Sequence, residues 1–216
     1  MIEARALAVT FNPGTMLESR ALRGVDLAIP EGQYLTVIGS NGAGKSTLLN
    51  ALAGTVPVSG GEITIDGERV TAWPAPRRAA FTARVFQDPL AGSCESLTIE
   101  ENLAVAQSRG GARGLRLALR PGLRDAWRER LRVLGLGLED RLGDRMGLLS
   151  GGQRQAVSLV MATMAPLKIL LLDEHTAALD PRIAGFVLDL TRKLVAEAGL
   201  TALMVTHSMR QAFDCG

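Results

Sequence analysis

One short run constrains this chain more than any other: Gly39-Ser40-Asn41-Gly42-Ala43-Gly44-Lys45-Ser46-Thr47 satisfies G-x-x-x-x-G-K-[ST]. Gly42 and Gly44 can take backbone angles that other residues avoid, so successive N–H groups can point into one anion-sized hollow. Lys45 then reaches the outer phosphates. The flanks agree: Tyr34–Ile38 reads as a short buried strand, and Ser46–Ala53 as a helix whose N-terminal dipole faces the anion, with Gly54 to end it.

Far downstream, Ile169–Leu172 is an apolar strand followed by Asp173 and Glu174. Carboxylates at such a strand end sit where little water competes for a cation. Asp173 suits Mg²⁺, held directly or through water. Glu174 is placed to accept a proton from an attacking water while the metal and Lys45 neutralise charge on a transferring phosphoryl group. An acidic pair at a strand end is common by itself; its meaning comes from the phosphate loop in the same chain.

Leu149-Ser150-Gly151-Gly152-Gln153 supports two readings equally. Ser150 and Gln153 form a capping box, so the run is a capped helix start leading into Ala156–Ala165. Its glycines also expose N–H groups at a helix N-terminus, which makes a second anion site.

Composition narrows the classes that remain. With 216 residues and 47% hydrophobic content the chain can bury a full core as one domain, and nothing suggests disorder. Lys+Arg of 24 against Asp+Glu of 22 is too balanced to imply nucleic acid from charge alone. Cys94 and Cys215 are far apart, show no metal-ligand spacing and fit a reducing cytoplasm. The start, Met1–Ala8, lacks the pattern of a signal peptide. The most apolar stretch, Ala156–Leu172, is broken by Ser158, Thr163, Pro166 and Lys168, so it reads as a buried helix and then a strand.

Along the chain, Ala21–Ile29 alternates as a half-exposed strand, and Glu62–Val70 carries Asp66-Gly67 as a hairpin turn, giving an antiparallel flank. From Pro89 to Leu148 helical patterns dominate, with a Gly/Arg-rich stretch from Arg109 to Arg120. Thr98–Glu101 is a capping box, and Asp125–Leu134 a further helical pattern ending at Gly135. Strand and helix then return: Asp180-Pro181 starts a helix, Gly199 stops it, and Leu200–Thr206 is a strand. The predicted class is α/β.

The loop Gly39–Thr47, the Leu149–Gln153 run, Ile169–Glu174, Ala178-Leu179-Asp180 and the isolated His207 stand in the order seen in ATP-binding-cassette (ABC) ATPases, which the chain resembles over essentially its whole length. The resemblance implies a P-loop NTPase core, RecA-like and mainly parallel, with flanking helices, an antiparallel β flank and an inserted α-helical lobe at about 89–165. Residues 1–216 are then a single cassette. It implies ATP and Mg²⁺ as cofactors, with Ser46, Gln87 and Asp173 toward the metal. A head-to-tail dimer would cover the ATP of one protomer with Ser150, Gly151, Gly152 and Gln153 of the other. By motif position Gln87 contacts Mg²⁺ and water, Asp180 crosses the dimer seam, and His207 senses the γ-phosphate. Phe11 stands where an aromatic stacks on adenine, although Phe11 also fits core packing and His207 an ordinary strand end.

Two departures stand out. His175 occupies a position where many relatives have proline, a variant resembling a bacterial importer branch linked to tryptophan, tyrosine or related solutes. The chain also stops soon after His207, which reads as a truncated C-terminal end. The resemblance implies an ATP-hydrolysing transporter subunit at the cytoplasmic face of the membrane, with a separate permease, a second cassette and, for an importer, a solute-binding protein. Nucleic acid is not expected. A soluble ABC ATPase acting on ribosomes or DNA is the alternative, through Arg109, Arg113, Arg116, Arg120 and Arg124; a regulatory module that closes without hydrolysis is opposed by Glu174 and His207.

Overall fold

The first ten residues show why strict alternation is a poor guide here. In the computed structural model, which describes residues 1–111, 118–119 and 122–215, Ile2–Phe11 is a strand, β1, that buries Ile2 and Ala4 and then Leu7 and Val9. The parity changes because the register slips between Ala4 and Leu7, where Ala6 takes a φ of 48°. Gly61 lies against this bulge, and a Cβ there would fall 2.4 Å from Ala6 O. Only glycine fits. The sequence reading did not predict β1, and the bulge is the reason.

The remaining strands are β2 (Ser19–Ile29), β3 (Tyr34–Ile38), β4 (Gly60–Ile65), β5 (Glu68–Arg69), β6 (Thr82–Val85), β7 (Ile169–Asp173) and β8 (Ala202–Thr206). The helices are α1 (Lys45–Ala53), α2 (Ala75–Arg78), α3 (Ile99–Gln107), α4 (Leu123–Arg132), α5 (Gly151–Ala162), α6 (Pro181–Glu197) and α7 (Met209–Cys215). An antiparallel sheet runs β2-β1-β4-β5, and a second sheet runs β3-β8-β7-β6 with β8 parallel to both its neighbours. This is the predicted α/β class with its antiparallel flank. The hairpin at Asp66 and Gly67 is present, with φ of 54° and 80°.

Two compact units emerge. The first comprises residues 1–83, 167–174 and 195–216, and the second 84–166 and 175–194. In the first, Leu49 and Leu52 of α1, Ile63 and Ile65 of β4, Ile169 and Leu171 of β7, and Leu203 and Val205 of β8 belong to one buried cluster. The expectation that β3 is buried needs correction. Its residues are only half-buried and Ile38 is 43% exposed, because among the described residues β3 lies at the edge of its sheet, paired with β8 on one side.

Arg78 ties the far end of α1 down. It is buried, and its guanidinium donates to Ala51 O, Leu52 O, Val70 O and Thr71 O, so the last carbonyls of α1 meet a cation where the helix dipole is negative. Gly54 closes the helix at φ 75°.

In the second unit α3 packs against α4 and α5, and Trp127, fully buried, donates from Nε1 to Gln107 Oε1 at 2.9 Å. The predicted capping box at Thr98 and Glu101 opens α3. Two arginines of the Gly/Arg-rich stretch and its continuation are engaged within the unit. Arg109 Nη2 donates to Ala162 O and Ala165 O at 2.9 and 3.1 Å, and Arg124 pairs with Glu100 at 2.6 Å. Arg113, Arg116 and Arg120 lie outside the described residues, as does Gly216.

Candidate nucleotide site

β3 delivers the chain into the glycine-rich loop, and α1 carries it away. Gly42 and Gly44 have φ of 83° and 88°, and Gly44 is the N-cap of α1. A Cβ on Gly44 would lie 2.6 Å from Ala21 O, so this position excludes any side chain both by angle and by space. Lys45 begins the helix and folds back over the loop, with Nζ donating to Gly39 O at 2.7 Å and Ser40 O at 3.0 Å. Ala43 N donates to Ser40 O at 3.2 Å and closes the turn.

The parallel pairing of β8 with β3 and β7 brings distant parts of the sequence to this loop. Ser46 Oγ donates to Asp173 Oδ1 at 3.1 Å across 127 positions of sequence. Glu174 Oε1 is 3.6 Å from Lys45 Nζ, and its other oxygen, Oε2, is 3.1 Å from His207 Nδ1. Glu174 N donates to Val205 O at 3.0 Å, and its φ of 43° is left-handed, a conformation that costs a non-glycine residue about 1–2 kcal/mol. The first unit therefore gathers the loop, Ser46, Asp173, Glu174 and His207 at one end of its parallel strands, where α/β sheets hold ligands. Phe11 ends β1 and is 38% exposed, so core packing is not its role.

Ser46 and Asp173 are both hard oxygen donors. Among the described residues no cluster of three or more His, Cys, Asp or Glu is built to cage a metal. One carboxylate and one hydroxyl fit a Mg²⁺ that takes its other ligands from water and phosphate.

Gln87, Ser150–Gln153 and Asp180 belong to the second unit. Gln87 is exposed just beyond β6. Ser150 Oγ accepts from Gln153 N at 3.3 Å and Gln153 Oε1 accepts from Ser150 N at 3.1 Å, so the capping box opens α5 as its sequence requires. Asp180 Oδ1 accepts from Ile183 N at 3.2 Å at the start of α6. Gly152 has a reason of its own: a Cβ there would meet Ile183 Cγ2 at 2.2 Å. Nothing in the sequence signalled that contact, nor the burial of His175, which leaves it 1% exposed and pushes its imidazole down to about 4.

A glycine-rich phosphate loop between β3 and α1, facing carboxylates at the end of β7, defines a P-loop nucleotide-binding protein. Residues 22–177 match the ABC transporter family, and the chain belongs to it. It is 40% identical to the tyrosine transport ATP-binding protein of Clostridioides difficile, over all of this chain and 86% of that one. It is 35% identical to a lipoprotein-releasing system ATP-binding protein of Caulobacter vibrioides, over all of this chain and 90% of that one. A dimeric ATP-binding cassette in a post-hydrolysis state with ADP and Pi superposes with a TM-score of 0.81 at 29% identity, covering 98% of this chain and 90% of that one. The protein is an ATP-binding, ATP-hydrolysing component of an ABC transporter system. Among the described residues no helix is long and apolar enough to cross a membrane.

Proposed function

We propose that this chain drives import of an amino acid or similar small solute through a separate permease, with Glu174 as the base that activates water. The observation that carries the catalytic part is the placement of one carboxylate between Lys45 and His207, at 3.6 and 3.1 Å. Water attacks the γ-phosphorus, its proton passes to Glu174, and the bond to the ADP oxygen breaks. Lys45 balances charge on the outer phosphates, the N–H groups of Gly39–Thr47 cradle them, and His207 orients Glu174 and contacts the γ-phosphate. Ser46 and Asp173, with Gln87 assigned to the same ion by its motif position, would hold Mg²⁺, which would supply further neutralisation of phosphate charge. Phe11 stacks on adenine.

Residues 1–216 act as one cassette, with a helical lobe at about 89–165 inserted in a RecA-like core. Two copies pair head to tail, so that Ser150–Gln153 and Asp180 of each complete the site of the other, as the cap and dipole of α5 suit an anion. Closure on ATP and reopening after hydrolysis move the permease at the cytoplasmic face of the membrane, and a solute-binding protein delivers the solute. The whole-chain similarity to a tyrosine transport ATP-binding protein supports the amino-acid assignment.

The test is affinity purification of the Glu174→Gln protein with ATP from detergent-solubilised native membranes, followed by mass spectrometry. A polytopic membrane protein is expected, and its solute follows from transport assays. Ribosomal or DNA-repair proteins without a permease would overturn the transporter assignment.

A further inference from the structure

The residue after Glu174 is a buried histidine that the reaction does not use. His175 Nε2 lies 3.0 Å from Thr191 Oγ1 on α6. The direction of this bond follows from its neighbour. Thr191 has one hydroxyl proton and donates it to Val187 O at 2.7 Å, so Oγ1 accepts from His175. The imidazole is thereby the Nε2–H tautomer, and its Nδ1 is a buried acceptor without a hydrogen-bond partner among the described residues. An apolar ring would fill the same space without leaving that atom unsatisfied. The hydrogen bond to Thr191 is what the histidine adds.

That bond fastens one end of the loop 175–180 to α6. At the other end Asp180 Oδ1 accepts from Ile183 N at 3.2 Å, and between them Leu179 N donates to Thr176 O at 3.2 Å. Leu179 and Ile183, on this loop and the first turn of α6, are the side chains against which Gly151 and Gly152 lie, with added Cβ atoms falling 3.4 and 2.2 Å away. The Ser150–Gln153 turn thus rests on the segment that His175 secures.

We propose that His175 is a positioning residue for ATP hydrolysis: its hydrogen bond to Thr191 fixes the loop 175–180, and through Leu179 and Ile183 the seat of the Ser150–Gln153 turn. The proposal rests on the assignment of that turn and of Asp180 to the closed, hydrolysing state. The Lys45 loop belongs to the first unit and the seat to the second, so the expected signature of this role is ATP affinity retained while turnover falls.

Four full-length variants test it: His175→Phe, which keeps a ring and removes the donor; His175→Gln, whose amide N–H reaches similarly; Thr191→Val; and Thr191→Ser. Melting temperature, equilibrium ATP affinity and kcat are measured for each, with Glu174→Gln alongside. The Phe and Val variants are expected to lose about tenfold in kcat with ATP affinity within about twofold of the parent, while the Gln and Ser variants stay near it. The proposal is overturned if Thr191→Val keeps the parent kcat, or if Thr191→Ser falls as far as Thr191→Val. A drop in melting temperature with kcat per folded molecule unchanged assigns the bond to stability alone and overturns it too. Should His175→Phe fail to fold, the Thr191 pair decides. Failure of the catalytic assignment is separate: Glu174→Gln would then turn over normally, whatever the other four do.

Discussion

His207 Nδ1 lies 3.1 Å from Glu174 Oε2, joining the ends of two parallel strands through side chains 33 positions apart. The contact exists because β7 and β8 pair in register, Asp173 opposite Val205, so that the residues following each strand emerge together. Glu174 N bonded to Val205 O holds the carboxylate's backbone in the left-handed region. A base fixed by its neighbours in this way needs no reorganisation when water arrives.

Removing the carboxylate's basicity while keeping its shape therefore isolates the chemical step. Glu174→Gln is expected to lower kcat by about 10²–10⁴-fold with ATP affinity unchanged, measured by single-turnover hydrolysis and equilibrium binding. Turnover at the parent rate would remove Glu174 from the role of base. His207→Ala is expected to fall in the same direction.

Lys45 separates binding from chemistry. Its ammonium is held by Gly39 O and Ser40 O and is 8% exposed, ready within the loop to meet a phosphate. Lys45→Ala is expected to weaken ATP binding at least about tenfold, since a charge-assisted contact to phosphate is lost. Titration calorimetry giving an unchanged Kd would contradict the loop's assignment.

Gly152 tests whether its glycine is required by packing inside one chain. With Ile183 Cγ2 only 2.2 Å from an added Cβ, Gly152→Ala must displace a β-branched side chain that has little rotamer freedom. A loss of about 1–3 kcal/mol in denaturant unfolding is expected. The double variant Gly152→Ala with Ile183→Ala should recover part of it, and a strictly additive pair would show that the clash is relieved elsewhere.

Arg78 holds the end of α1 opposite the phosphate loop. Arg78→Met keeps much of the stem and removes the guanidinium's bonds to four carbonyls; Ala51 O and Val70 O keep backbone donors in Gly54 N and Trp73 N, so the loss falls on Leu52 O and Thr71 O. The expected destabilisation is about 2–4 kcal/mol, read from thermal or denaturant unfolding, because a buried acceptor left unpaired carries its full desolvation cost. Stability equal to the parent would mean that water replaces the guanidinium.

Local chemistry made much of this protein readable in advance. Gly42, Gly44 and Lys45 declare their loop because backbone angle and charge are properties of the residues themselves, and the Thr98 and Ser150 capping boxes because their bonds close within four residues. Gly54 and the Asp66-Gly67 turn belong with them. What the linear chain did not disclose depends on partners distant in sequence. The bulge in β1 needs Gly61 across the sheet, the half-exposure of β3 follows from its place at an edge, and Arg78 finds its acceptors only when α1 and the loop after β5 pack together. Glu174 meets His207, and His175 meets Thr191, by the same logic. Short-range angles and caps are encoded residue by residue, whereas register and burial arise only when separate segments share one core.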